Sequence, residues 1–212
     1  IQAPDISYGL AENTTETVLL ALEAPAKALV PQDDALEPSG QRDAPRPWTL
    51  EEFDDSAWLT GTTGVGFGYP GLVGLDVAAM RNVNETVYVR IPFVVDDPSM
   101  FKALTLRMWH DDGLIAYLNG HEVARDNAPP PTEETWNSGA SAMWPDNRTT
   151  RSVDFRIPRF DFLHIGTNLL AVQGLNNGVT SSDLLIRPEL RATILGAEQP
   201  RRYFPTPTPG QP

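Results

Sequence analysis

The sequence predicts an all-β protein built as a two-sheet antiparallel sandwich, and three observations support this fold class. The 212 residues include 20 prolines and 16 glycines, which favour many turns and few long helices. Apolar and polar residues alternate with period two in several separate segments, as they do in half-buried strands. No amphipathic pattern extends beyond about three helical turns. Hydrophobic residues make up 41% of the chain, which is enough for the core of one large domain.

The predicted strands follow one another along the chain, and each places its apolar residues on one face. Their apolar positions are Val18, Leu20 and Leu22; Val87, Val89, Ile91 and Phe93; Leu104, Leu106 and Met108; Leu114 to Leu118; Val153, Phe155 and Ile157; Leu169 and Ala171, with Leu170 and Val172 opposite; and Leu184, Ile186, Leu190 and Ile194. Asn119-Gly120, between two of these strands, is a strong hairpin signal. Many short strands separated by turn signals predict a sandwich rather than βαβ units.

Two long segments without strand periodicity interrupt this order, at about 58–86 and 126–150. Structureless loops longer than about 15 residues in a compact domain are often functional. The first holds a glycine-rich run at 61–68, which does not match a phosphate-binding loop because neither Lys-Ser/Thr nor a helix follows it.

The two ends of the sequence have the composition of linkers. We expect an N-terminal linker or extension at 1–16, the sandwich at 17–196, and a Pro/Thr-rich C-terminal linker at 197–212. Such a linker indicates a neighbouring module in a larger protein.

The net charge of −12 argues against nucleic acid and anionic membranes as partners, because both require clustered Lys and Arg. The charge is compatible with cations and neutral polymers, and it also keeps a secreted protein soluble. Cysteine is absent, which excludes disulfides, thiolate metal sites and a cysteine nucleophile. No apolar run approaches the roughly 20 residues of a membrane-spanning helix.

Four motifs occur in an order that resembles the sugar-binding jelly rolls attached to β-galactosidase-type glycoside hydrolases. They are Trp48 with Phe53-Asp54-Asp55-Ser56-Ala57-Trp58; Tyr88-Val89-Arg90-Ile91-Pro92-Phe93; Tyr117-Leu118-Asn119-Gly120-His121-Glu122-Val123; and Gly166-Thr167-Asn168-Leu169-Leu170-Ala171-Val172. The resemblance implies a jelly-roll sandwich of the galactose-binding-like type.

Two further motifs resemble a module of large secreted bacterial surface proteins. They are Asp111-Asp112-Gly113, before the hairpin, and Ser181-Ser182-Asp183-Leu184-Leu185-Ile186 with Pro188-Glu189-Leu190. All the motifs together cover residues 46–194. The resemblance implies a secreted or cell-surface protein of bacterial origin, and it is more specific for the fold than for an activity.

The Asp111-Asp112 turn is the candidate metal site. Adjacent carboxylates in a turn suit Ca²⁺, which takes six to eight oxygen ligands. The stretch is similar to the calcium-holding segment of flocculin-type lectin domains, which implies an ion that contacts sugar hydroxyls. Asp183, in the polar loop 176–183, is a further candidate ligand. The alternative is structural: turn aspartates often accept hydrogen bonds from backbone N–H groups.

Aromatic residues without strand periodicity are the candidate sugar platforms, because a pyranose ring stacks its C–H face on an indole. Trp136 and Trp144 lie in loop 126–150, with Asn147 and Arg148 as polar partners, and Tyr69 follows the glycine-rich run. The alternative is that both tryptophans attach the loop to the body.

Three other tryptophans belong to predicted strands or motifs. Trp109 alternates out of phase with Leu106 and Met108, so we expect it on the opposite surface of its sheet, near Asp111, as a further candidate ligand-binding residue. Trp48 and Trp58 flank the first motif, and we expect both in the core.

Three functions are compatible with these features. A non-catalytic carbohydrate-binding module that binds a polysaccharide or glycan comes first. The alternative is a structural spacer or protein-interaction domain of a bacterial surface protein. An enzyme acting on a polysaccharide comes last, because there is no Gly-x-Ser-x-Gly motif and none of the three histidines has metal-ligand spacing.

Overall fold

The computed structural model describes residues 14–37, 45–145 and 151–196, which form two six-stranded β-sheets. The predicted all-β two-sheet sandwich is confirmed. Helical structure among the described residues is limited to three short 3-10 helices, at Pro47–Thr49, Ala78–Met80 and Pro98–Met100. No helix in those residues is long and apolar enough to cross a membrane.

The two sheets are named here the front sheet and the back sheet. The strands of the front sheet are β1 (Thr14–Leu20), β4 (Val65–Phe67), β5 (Leu75–Asp76), β7 (Phe101–Asp111), β10 (Val153–Ile157) and β12 (Leu184–Leu195). The strands of the back sheet are β2 (Pro25–Leu29), β3 (Leu59–Thr62), β6 (Thr86–Val95), β8 (Gly113–Leu118), β9 (His121–Asp126) and β11 (Gly166–Leu175).

Each sheet is organised around one long strand pair. In the front sheet β12 pairs with β7, while its other edge pairs with β4 at the start and with β1 at the end. In the back sheet β6 pairs with β11 over ten residues, and the strand order is β3-β2-β6-β11-β8-β9. All pairs are antiparallel except β4 with β5. This arrangement fits the galactose-binding-like jelly roll expected from the motifs.

The main core lies between the sheets and is formed by the predicted alternating positions. In β6, Val87, Val89 and Ile91 are fully buried, and Phe93 is nearly so. The same cluster includes inward residues of β7, β8, β11 and β12. A second apolar cluster covers part of the outer face of the back sheet, so β8 and most of β6 and β11 are buried on both faces.

Segment 47–58 covers part of that outer face. Trp48 is fully buried and stacks on Tyr88, with ring centroids 4.1 Å apart and planes inclined by 13°. Trp58 is 8% exposed and packs edge-to-face on Phe53. The expected core positions of Trp48 and Trp58 are therefore confirmed.

The structure differs from the sequence expectations in four places. Val18 is exposed, because the register of β1 against β12 shifts between Val18 and Leu20 and so breaks the alternation. Segment 58–86, expected to be a loop, contains β3, β4 and β5, while β2 was not expected. β1 begins at Thr14, three residues before the boundary expected for the sandwich.

Candidate functional site

Three loops meet on the Asp111-Asp112 turn, which joins β7 to β8 at one end of the sandwich. Both residues are 3% exposed, and the peptide bond between them is cis. Asp112 Oδ1 accepts a hydrogen bond from the backbone N–H of Trp144 at 2.7 Å, and Oδ2 accepts one from Asn177 at 2.8 Å. Asp111 Oδ2 accepts a hydrogen bond from the Tyr69 hydroxyl at 2.9 Å. We call the surface formed by Tyr69, Trp144 and Asn177 around this turn the loop end.

The hydrogen bonds of Asp112 have a clear structural role. A buried carboxylate is stabilised by N–H donors, and each donor in turn fixes the backbone that carries it. Asp112 therefore holds the loops at Trp144 and Asn177 against the sandwich. This is the role that the capping alternative predicts for the turn.

Trp144 is half-buried at the loop end. Its ring packs on the buried His110, with centroids 4.6 Å apart and planes inclined by 45°. Phe155 lies on the same histidine at 6.3 Å, and His110 Nε2 is 3.4 Å from Asp126 Oδ2. Trp144 is thus held in place by its neighbours while part of its surface remains accessible.

Tyr69 borders a groove of about 470 Å³ that is lined by residues between Phe67 and Asp76. The tyrosine is half-buried, and its hydroxyl is held by Asp111. Gly68 precedes it with φ +82°, and a Cβ there would lie 2.6 Å from the Cβ of Asp183. A glycine is required at this position because the chain turns in the left-handed region against Asp183.

The loop at 176–183, which contacts Asp112 through Asn177, holds a buried oxygen with no donor. Asn176 is 3% exposed and donates from Nδ2 to the Asp183 carbonyl at 2.9 Å, but its Oδ1 has no hydrogen-bond partner among the described residues. Asp111, Asp112 and this amide oxygen match the oxygen ligands that Ca²⁺ prefers. Within residues 14–37, 45–145 and 151–196, no three His, Asp or Glu side chains are grouped to hold a metal, so Asp183 is not gathered with the other two aspartates.

The remaining predicted ligand residues lie elsewhere. Trp136 is half-buried and follows Thr135, whose carbonyl accepts a hydrogen bond from Gln173 of the back sheet at 3.0 Å. Trp109 lies, as expected, on the outer face of the front sheet, where the Arg187 guanidinium is 5.9 Å from the centre of its ring. Positions 147 and 148, the predicted polar partners Asn147 and Arg148, lie outside the described residues.

A buried charge cluster on the back sheet was missed by sequence reasoning. The side chain of Glu134 is 1% exposed and accepts hydrogen bonds or ion pairs from Arg46 at 2.8 Å, Arg125 at 2.6 Å and the Tyr117 hydroxyl at 3.0 Å. Arg46 also pairs with Glu37 at 3.0 Å. Glu134 precedes Trp136 in the same loop, so this cluster attaches the first half of the loop to the outer face of the sheet. These partners are scattered in sequence, which leaves no local signal to find them.

The tyrosines of this cluster are structural donors. Burial raises the pKa of Tyr88, and the neighbouring Glu37 carboxylate raises it further. Burial likewise raises the pKa of Tyr117, beside Glu134. Both hydroxyls therefore keep their protons at any ordinary pH and donate to the carboxylates.

A second groove, of about 310 Å³, lies on the outer face of the back sheet. Glu51, Phe53 and Asp55 form one wall, while Pro92 and Leu169 belong to the sheet that forms its floor. Sequence reasoning did not predict it, because segment 47–58 and the strands meet only in the folded chain.

No protein-family model matches the sequence, and no curated protein matches it. Among solved structures, the chain is similar to the β-glucuronidase of an uncultured Clostridium sp., with 13% identity, a TM-score of 0.46 and coverage of 90% of this chain and 31% of that one. It is also similar to Bacteroides uniformis β-glucuronidase 2, with 15% identity, a TM-score of 0.47 and coverage of 85% and 18%.

A glycosyl hydrolase family 2 member from Bacteroides cellulosilyticus is another similar structure, with 14% identity and a TM-score of 0.46. That likeness covers 84% of this chain and 20% of the enzyme. The chain thus spans less than a third of the length of each of these three enzymes.

Proposed function

We propose that this chain is a non-catalytic carbohydrate-binding module of a secreted, multidomain bacterial protein, and that a glycan binds at the loop end. One observation carries the proposal. Two half-buried aromatic residues from separate loops, Tyr69 and Trp144, are both fixed on the adjacent carboxylates Asp111 and Asp112. The groove beside Tyr69 offers space for a ligand next to them.

The arrangement suits the chemistry of sugar recognition. A sugar ring presents a C–H face that packs on an aromatic ring, while its hydroxyl groups require polar partners. Asp112 holds the backbone at Trp144 before any ligand arrives, which lowers the ordering entropy lost on binding. Affinity for one sugar unit is weak, because each hydroxyl exchanges water for a protein partner. Strong binding then requires a polymer or several modules.

Trp136, in the same loop as Trp144, is the second tryptophan of the proposed ligand surface. It is half-buried and has no hydrogen-bond or ring partner among the described residues. The backbone on either side is anchored by Gln173 at Thr135 and by Thr86, whose hydroxyl donates to the Ser138 carbonyl at 2.7 Å. A tryptophan on a fixed backbone supplies apolar contact area with little further loss of entropy.

The alternative is a structural or protein-interaction domain, and the packing of Trp144 favours it. An indole held on His110, with its backbone fixed by Asp112, also serves simply to close the end of the sandwich. Under this alternative the loop end carries no ligand, and removing either tryptophan changes stability alone.

Two substitutions separate these functions. We expect Trp136→Ala and Trp144→Ala each to weaken retention on insoluble polysaccharides about tenfold, the change that about 1.4 kcal/mol of lost stacking produces. The measurement is a pull-down against cellulose, chitin, xylan and mannan, with the melting temperature recorded for each variant.

Trp109→Ala is the matched control, because it removes another half-buried indole from a different surface. Parent-like retention by folded Trp136→Ala and Trp144→Ala proteins would contradict the proposal. Loss of retention in the Trp109 variant alone would indicate that the ligand binds on the outer face of the front sheet.

A further inference from the structure

The groove on the back sheet has a definite structural origin. Arg90 of β6 is 3% exposed and donates to the carbonyl oxygens of Trp48 and Leu50, which holds segment 47–58 over one half of the outer face. The cover ends at the next row of the sheet, where Pro92 is exposed while its partner Leu169 is only 3% exposed. The groove lies along the edge of segment 47–58, where the covered part of the outer face of the back sheet ends.

The groove combines an apolar floor with paired charges. Pro92 supplies the exposed apolar surface, Leu169 contributes little because it is 3% exposed, and Phe53, which packs on the Arg90 guanidinium at 5.3 Å, forms part of the wall. Lys27 Nζ lies 2.5 Å from Asp55 Oδ1, with side-chain exposures of 33% and 22%. These polar atoms border apolar surface within a volume at the lower end of the range of about 300–1,000 Å³ for small-molecule sites.

The charges that line the groove balance. Lys27 and Arg90 are positive, and Glu51 and Asp55 are negative. Asp55 bridges both cations, since its Oδ2 accepts a hydrogen bond from Arg90 Nε at 2.7 Å. A ligand of either charge would meet like charge as well as opposite charge, and burying it unpaired is unfavourable. A neutral molecule rich in hydroxyl groups meets strong donors and acceptors without that penalty.

The carboxylate of Asp55 is suited to accept hydrogen bonds from hydroxyl groups. Burial raises the pKa of Asp55, but hydrogen bonds from Lys27 and Arg90 outweigh burial and hold the pKa below its usual value. Asp55 therefore remains ionised at neutral pH. A general acid for glycoside hydrolysis has a raised pKa instead, so Asp55 is suited to accept hydrogen bonds from a ligand rather than to act as that acid.

We propose that this groove is a second carbohydrate site, which binds one uncharged pyranose ring between the Pro92–Leu169 floor and the polar groups of Lys27, Glu51 and Asp55. The choice of sugars as ligands rests on the proposed carbohydrate-binding function, but the site is separate from the loop end. The ring places its C–H face on the floor, and its hydroxyl groups donate to the two carboxylates and accept from the Lys27 ammonium.

Thr167 provides a way to block the groove without disturbing the core. It lines the groove from an exposed position of β11, so Thr167→Trp fills the opening with an indole. Thr15→Trp is the matched control, because Thr15 is an exposed strand threonine in β1 of the front sheet. Exposed substitutions of this kind change stability by about 0.5 kcal/mol or less, so both variants should fold.

The experiment is an NMR titration of the ¹⁵N-labelled chain with glucose, galactose and mannose, and with glucuronate and glucosamine as charged comparisons. We expect at least one neutral hexose to shift the amide signals of Lys27, Thr60 and Leu169 with millimolar affinity. Thr167→Trp should weaken that binding at least about tenfold, and Thr15→Trp should leave it unchanged.

The outcomes distinguish this site from the loop end. Shifts confined to the amides around Tyr69 and Trp144 would support the proposed function and overturn the groove. Parent-like binding by Thr167→Trp, the absence of any hexose-induced shift at the groove, or tighter binding of glucuronate or glucosamine there would also overturn it. Loss of polysaccharide retention in the tryptophan variants is measured separately, so failure of the proposed function is seen independently.

Discussion

Arg90 explains why two of the sequence motifs occur together. Its guanidinium donates to Asp55 and to the backbone carbonyls of Trp48 and Leu50, so the arginine of one motif holds the tryptophan and aspartate of another. The side chain is 4% exposed, and a buried guanidinium requires several hydrogen-bond acceptors because it carries five N–H donors. An Arg at this position therefore stabilises the cover of the back sheet and does not serve as a free ligand.

Removing Arg90 should lower the free energy of unfolding far more than removing a more exposed arginine that also pairs with an aspartate. We expect Arg90→Ala to lower the free energy of unfolding by about 3–5 kcal/mol, because Asp55 and several carbonyls lose their donor. Arg107→Ala is the matched control: Arg107 also pairs with an aspartate, Asp154, at 2.7 Å, but their side chains are 30% and 45% exposed. We expect that change to remove about 1 kcal/mol or less. Urea denaturation measures both, and equal losses would show that Arg90 does not hold the segment.

The β8–β9 hairpin is joined to the start of β11 by two asparagines. Asn119 and Gly120 have φ values of 46° and 84°, as a two-residue hairpin turn requires. Asn119 Nδ2 donates to Asn168 Oδ1 at 2.8 Å, and Asn119 Oδ1 accepts from the Leu169 N–H at 2.8 Å. The Asn-Gly and Gly-x-Asn motifs, nearly 50 residues apart, are therefore two sides of one contact.

A double-mutant cycle tests this contact. We expect Asn119→Ala and Asn168→Ala each to lower the free energy of unfolding by about 1–3 kcal/mol, because each leaves buried polar groups unpaired. The double variant should lose less than the sum, by about 0.5 kcal/mol or more, since the shared hydrogen bond is removed only once. Additive losses in chemical denaturation would mean that the two residues act independently.

The long strands could be predicted from the sequence because each presents a regular apolar face to the core. β6 shows this in Val87, Val89 and Ile91, all fully buried. The short strands β3 and β4 could not be predicted, because β3 contains threonine and glycine in place of an alternating apolar pattern and β4 is only three residues long. At Gly66 a Cβ would overlap the Leu184 carbonyl, so close approach of the backbone decides the residue there.

For the candidate site, too, the sequence predicts only a part: it indicates the residue types but not the contacts between them. The residue types of the Asp111-Asp112 turn and its loops indicate a polar site, and the sequence leaves open whether the carboxylates cap backbone groups or bind an ion. Their partners, Trp144 and Asn177, are 32 and 65 residues from Asp112. Such contacts depend on how the loops return to the sandwich, which no local pattern encodes.

A bound calcium ion would change the stability of the whole molecule. An ion that binds the folded chain raises the melting temperature by mass action. Asp111 and Asp112 are the proposed ligands, and Asn176 offers an amide oxygen of the type that Ca²⁺ prefers. We expect a higher melting temperature in CaCl₂ than in EGTA, and no difference after Asp111→Asn.

Asp161→Asn is the control for that comparison, because Asp161 is an exposed carboxylate paired with Arg159 at 2.6 Å. It should retain the calcium effect. Identical melting temperatures for the parent in both solutions would leave the turn with its capping role alone.

The pairing of β1 with β12 decides how the sandwich is presented to its surroundings. Thr14 lies opposite Leu195, so the first and last strands of the described residues have their outer ends at one corner of the sandwich. The loop end lies at the opposite extreme, because Leu185, near the start of β12, pairs with Asp111. A strand of this length rises about 3.3 Å per residue, which places the two points roughly 35 Å apart. A partner or tag attached at that corner would therefore lie about the length of β12 away from the loop end.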